Sequence, residues 1–125
     1  MHELSLATEL VRVLERTAGR VRASRVLRAR MRIGELTCVN PDALLTALEI
    51  ASRGTLAEGC ALAVDRVPAR LRCLGCRAVH GGPLLAPCDA CGVAAAEILE
   101  GRENWLDSVE LDVEEAPVRR GEEGR

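Results

Sequence analysis

The 125 residues contain no lysine, no phenylalanine and no tyrosine; one tryptophan is the whole aromatic complement, and there are two histidines. Without Phe and Tyr the core has to be built from Leu, Val, Ile and Ala. Each of these buries little area, so a chain of this size gains from an added staple such as a metal. The same absence, with a net charge of −2 and an isoelectric point near 5.7, counts against a nucleic-acid binder. Such a binder wants a basic footprint and stacking rings. No apolar run approaches membrane-spanning length. The opening MHELSLATEL lacks a basic start, and Glu3 and Glu9 interrupt it, so it does not read as a secretory signal. A cytoplasmic protein is expected, where paired cysteines mean metal or redox work rather than disulfides. All seventeen basic side chains are Arg. With Ala and Gly so common, this reads as codon bias and not as chemistry.

What is present is patterned. Leu4, Ala7, Val11, Leu14 and Ala18 recur at helical spacing over residues 3–19, with Gly19 placed to close the helix. From 26 to 33, Leu27, Ala29, Met31 and Ile33 alternate with Arg28, Arg30 and Arg32, the mark of a half-buried strand. Asn40-Pro41-Asp42 starts a second helix: an N-cap, a proline at the first helical position and a first-turn acid. That helix runs through Leu44, Leu45, Leu48 and Ala51 and stops near Gly54. A second strand with Leu62 and Val64 on one face ends at Pro68, and a third covers Trp105 to Val113. A lone third strand cannot satisfy its own backbone, so it is expected to return to the N-terminal sheet. The segment between, residues 70–101, shows little period of its own, as where a metal replaces a core.

That segment holds Cys73-Leu-Gly-Cys76, eleven residues, and Cys88-Asp-Ala-Cys91. Each CxxC turn aims two thiolates at one ion, and Gly75 and Gly92 suit these turns. Four thiolates fill a tetrahedral shell for Zn(II) and leave no open position, so the site is expected to be structural. Its binding energy is also folding energy. Iron is the competitor for such a shell. His80, between the pairs, is read as solvated or as supporting the ligands from outside. Cys38 and Cys60 are read as packing residues.

His2 sits beside the chain's α-amine. A large second residue disfavours removal of Met1, so the amine, the His2 backbone nitrogen and the His2 imidazole lie within a few bonds. Free amines and imidazoles titrate near 7.7–8.0 and 6.5, so both are available as neutral ligands. Deprotonated backbone nitrogens favour square-planar Ni(II) or Cu(II). A frayed terminus, with Glu3 complementing the helix dipole, explains the same residues.

Taken in order, MHELSL, the IGEL of Ile33 to Leu36, the RGTLAEG of Arg53 to Gly59, the CxxC–x11–CxxC array and the DSVEL of Asp107 to Leu111 resemble one family across nearly the whole chain. It is the hydrogenase nickel-insertion metallochaperones, HypA and its paralogue HybF. The resemblance implies an α+β fold: a nickel domain of two helices and a three-stranded sheet (1–69 and 102–115), an inserted four-cysteine zinc-ribbon-like module (70–101), and a flexible tail (116–125). It implies Ni(II) as cargo at His2, with Met1 and Glu3 contributing, and Zn(II) at Cys73, Cys76, Cys88 and Cys91. It implies no catalysis. The expected partners are the GTPase HypB and the [NiFe]-hydrogenase large-subunit precursor, with the chain itself a monomer or homodimer. Where some members add a side chain near position 40, this sequence has Asn40, which is needed as a helix cap. That role is not carried over. The rival readings are a zinc-ribbon module that binds nucleic acid or protein, and a small iron or redox protein. A zinc hydrolase ranks last, because it needs an open metal position.

Overall fold

The computed structural model describes residues 2–114. The expected Met1 ligand and the 116–125 tail lie outside the described residues.

Helix α1 spans His2–Arg20 and buries Ala7, Leu10, Val11, Leu14 and Ala18. The apolar stripe therefore starts a turn later than the sequence suggested: Leu4 stays 45% exposed, and Leu10 joins the core. Gly19 does not close the helix either. The left-handed residue is Arg22 (φ 56°), and the Ala23 N–H donates to the Ala18 carbonyl at 2.9 Å. That is a Schellman-type stop with an arginine where glycine is usual.

Strand β1 (Arg25–Gly34) is the middle of a three-stranded sheet, between β2 (Ala61–Val67) and β6 (Asn104–Asp112). It runs parallel to β2 and antiparallel to β6. The parallel pair needs a crossover, supplied by α2 (Pro41–Ala51). A register shift between Val26 and Arg28 turns Val26 inward beside Ala29, Met31 and Ile33 and leaves Leu27 only half-buried. Simple alternation placed Leu27 on the inner face; the bulge reverses it. On α2, Leu44, Ala47 and Leu48 complete the core while Leu45 stays exposed. Inner residues Leu62 and Val64 of β2, and Leu106, Val109 and Leu111 of β6, pack against that core. Val113, expected as the last residue of the third strand, follows the end of β6 and is exposed. The opposite face carries solvated ion pairs, Arg28–Glu110 at 3.2 Å and Arg30–Asp65 at 2.8 Å, which contribute little to stability.

A second sheet lies between β2 and β6 in sequence. Its order is β4 (Val79–His80), β3 (Arg70–Cys73), β5 (Ala96–Glu100), all antiparallel neighbours. The segment read as lacking period is thus partly strand. Two- to five-residue strands are too short for alternation to register.

The two sheets are tied through a tight backbone crossing. Gly34 donates to the Glu103 carbonyl at 2.7 Å, Leu36 to the Gly101 carbonyl at 2.8 Å, and Ala69 to the Glu35 carboxylate at 2.7 Å. A Cβ on Gly34 would lie 2.0 Å from the Gly101 oxygen, so only glycine allows this approach.

Candidate metal centres

Cysteines 73, 76, 88 and 91 converge. Their sulfur atoms all lie within 4.8 Å of one another, with Cys73 and Cys88 buried and Cys76 and Cys91 exposed. Among the described residues they form the one such group of three or more metal-binding side chains.

Two turns built alike bring them there. In the first, Arg77 N–H donates to the Cys73 carbonyl at 2.9 Å and Cys73 N–H to the Ala78 carbonyl at 2.8 Å. In the second, Gly92 N–H donates to the Cys88 carbonyl at 2.7 Å and Cys88 N–H to the Val93 carbonyl at 2.9 Å. The residue after each second cysteine is left-handed: Arg77 at φ 68° and Gly92 at φ 80°. Gly75 plays a different part. Its N–H approaches the Cys73 sulfur at 3.3 Å, and a Cβ there would sit 2.8 Å from the Val93 side chain, so the two turns press together at this point.

The donor set fits a thiophilic dication. Sulfur separations of 3.4 Å (Cys73–Cys91) and 3.7 Å (Cys76–Cys88) lie just below a zinc tetrathiolate's edge, about 3.8 Å for bonds of about 2.3 Å. The electrostatics agree. The Cys76 and Gly75 N–H groups aimed at Cys73, helped by neighbouring thiols, bring its thiol down to about 6 against the opposing effect of burial. Cys76 is pushed up to about 11. The Ala78 N–H draws it down, but burial and the sulfurs of Cys88, Cys91 and Cys73 prevail. One thiolate forms readily and a second beside it does not, so full ionisation of the cluster needs a cation in its midst.

The N-terminal residues sit at the free end of α1. The His2 imidazole is 57% exposed, with Nε2 3.6 Å from the Glu3 carboxylate. Glu3 is anchored by a residue distant in sequence, at the start of the neighbouring helix α2: the Asn40 N–H donates to it at 3.1 Å. That bond is the main reason its carboxyl lies below the usual range. The Asn40 side chain is itself engaged, capping α2 by accepting from Ala43 N–H at 3.1 Å. Position 40 therefore reaches the terminal site through its backbone. Sequence reasoning missed this tie, because a backbone donor thirty-seven residues away leaves no trace in side-chain identity.

His80 stands outside the cysteine cluster, with Nδ1 2.8 Å from the Gly81 carbonyl. Cys60 is half-buried against the core, and burial pushes its thiol up. Cys38 is not a packing residue. It is exposed and left-handed (φ 60°), ending the short 3-10 turn of Glu35–Thr37.

A two-part α+β molecule with a four-thiol centre and a histidine at its N-terminus is a recognisable class. Residues 1–111 match the family model described as hydrogenase/urease nickel incorporation, metallochaperone, hypA. The hydrogenase maturation factor HypA of Geobacter sulfurreducens is 40% identical over 116 residues, covering 91% of this chain and all of the relative. That of Geobacter metallireducens is 38% identical over 117 residues, with 91% and 100% covered. Among solved structures, the nickel metallochaperone HypA of Helicobacter pylori superposes with a TM-score of 0.62 at 25% identity, over 90% of this chain and 98% of that one. The chain belongs to the HypA family.

Proposed function

We propose that this protein carries Ni(II) to the precursor of a [NiFe]-hydrogenase large subunit, working with the GTPase HypB. In this reading His2 is the indispensable nickel ligand, assisted by Met1 and Glu3, and Cys73, Cys76, Cys88 and Cys91 hold Zn(II). Residues 1–69 and 102–115 act as the nickel domain and 70–101 as the zinc module. The cargo is transferred and no covalent reaction on it is catalysed. The same site can load a urease pathway, as the family description allows.

The observation that carries the reading is the state of the first turn of α1. His2 is exposed, while Glu3 is fixed by Asn40 so that its carboxylate faces the imidazole. The backbone N–H groups of His2 and Glu3 belong to the helix start, where they have no intrahelical acceptor. Nickel capture there disrupts no helical ladder. The positive end of the helix dipole opposes a cation at this point, and the Glu3 charge offsets it. The balance gives an accessible, releasable site, which is what a carrier needs. The cysteine cluster supplies the complementary property. Zn(II) held there would offset two of the four thiolate charges, and this chain's N–H groups at Gly75, Cys76 and Ala78 hold the sulfurs in place and take up part of the remaining charge.

The test is a nickel titration of the untagged chain beside a version with residues added before Met1, with zinc counted on both. Nickel at one per chain only in the untagged form, with zinc constant at one, supports the reading. Nickel binding that ignores the extension overturns the terminal site.

A further inference from the structure

Trp105, the only aromatic residue of the chain and its largest apolar side chain, is 52% exposed. It lines a groove of about 310 Å³ together with Ile98, Leu99, Glu100, Arg102 and Glu103. The groove lies where the chain passes from β5 to β6, and each of these strands is the outer member of its sheet. Among the described residues, two rows of backbone groups without a strand partner therefore flank one depression, whose apolar lining is Ile98, Leu99 and Trp105. From residue 97 to residue 114 the chain carries seven acidic side chains and one basic one, Arg102. Glu97, Glu100 and Glu110 are paired with Arg72, Arg70 and Arg28. Asp107 and Asp112, both exposed on β6, have no ion-pair partner among the described residues.

We infer that the β6 edge and the Trp105 groove form a docking site for an extended, basic segment of a partner protein. The segment adds a strand to β6, sets Arg or Lys side chains against Asp107 and Asp112, and seats one apolar side chain beside Trp105. The chemistry selects this occupant. Strand addition gives main-chain affinity without sequence demands, and the side-chain depression gives specificity. Tryptophan is the residue most often found carrying binding energy at such contacts. Acidic charges and the bulge near Ser108 keep the edge from pairing with a second copy of itself, because like charges would meet. The same acids repel nucleic acid. Association with a basic segment gains in rate and specificity from the opposite charges.

The choice of probes rests on the function proposed above. Because Trp105 is the only tryptophan, its emission reports this groove alone. Overlapping peptides covering the large-subunit precursor and the GTPase, each Trp replaced by Phe, are titrated into the full-length zinc-loaded protein at low and high salt. A peptide with at least two basic residues is expected to shift the emission to the blue. Its affinity should fall about tenfold at high salt and about tenfold in the Asp107→Arg/Asp112→Arg double variant. Zinc content, melting temperature and nickel binding of that variant should stay unchanged, since both positions are exposed and far in sequence from either metal centre. The inference is overturned if no peptide moves the emission, if binding ignores salt and both reversals, or if Trp105→Ala abolishes self-association instead. A failed nickel titration with the peptide result intact would count against the carrier function and leave the docking site standing.

Discussion

The two candidate metal centres are built on opposite plans. The cysteine cluster is closed: four ligands from two turns, half of them buried, with backbone N–H groups aimed at the sulfurs. The N-terminal site is open: one exposed imidazole and one anchored carboxylate at a helix end. Retention and delivery make contrary demands on coordination. A shell completed by the protein keeps its ion, and one left incomplete gives it up to a better set of ligands.

The comparison can be broken most decisively at Cys73. Cys73→Ser removes a fully buried thiol of the proposed zinc site, and zinc should be lost on mild chelation, with the 70–101 segment unfolding. Structural zinc contributes on the order of 10 kcal/mol in small metal-folded modules, so the change should be gross in both metal analysis and thermal melts. Full zinc content and an unchanged melt would sink the four-ligand assignment. At the open site the effect should be large on metal and absent on fold. His2→Ala is expected to weaken nickel at least ~100-fold in calorimetry, about 2.7 kcal/mol, with an unaltered melting curve, since the side chain is exposed. Glu3→Gln should give a smaller loss of nickel affinity. It also changes acid stability in a stated direction. The folded-state carboxyl is depressed, so its contribution is complete above the ordinary carboxylate value and disappears as pH falls through the lowered one. The wild-type melting temperature should therefore drop more steeply on the acid side than that of Glu3→Gln; parallel curves would show that the Asn40 bond contributes nothing. The smallest effect sharpens the likeness between the two turns. Arg77 occupies the left-handed position that Gly92 fills in the other turn. Arg77→Gly should stabilise the zinc-loaded protein by about 0.5–1 kcal/mol, the strain relieved less the added freedom of the unfolded chain. A destabilised variant would mean that the Arg77 side chain holds a contact of its own.

Much of this was readable from the residues. The alternation in β1 is strong because β1 is central and one of its faces is buried. Asn40-Pro41-Asp42 marks its helix because capping and proline chemistry are local. The spacing of the cysteines predicts their convergence because a CxxC turn has few alternatives. Two helices and three strands followed from the same local signals, and the α+β architecture came with the family resemblance. What stayed hidden was carried by the backbone over long range. The bulge that turns Val26 inward depends on pairing with β6 and is invisible in β1 alone. Strands β3, β4 and β5 are too short for a periodic signal, and β3 ends on a cysteine whose role masks it as a strand. The anchoring of Glu3 uses the N–H of Asn40, a group every residue but proline possesses.

The crossing at Gly34 and Gly101 bears on anyone who treats the four-cysteine module as a cassette. Its stems are not linkers. Ala69 is held by Glu35, Gly101 accepts from Leu36, and Glu103 accepts from Gly34 and also binds the Gly101 N–H at 2.8 Å. A module exchanged between relatives at residues 70 and 101 would arrive with one half of a lock and leave the other behind. The exchangeable unit is the module with its stems and the Gly34–Leu36 segment they grip, two stretches of chain that have to be inherited together.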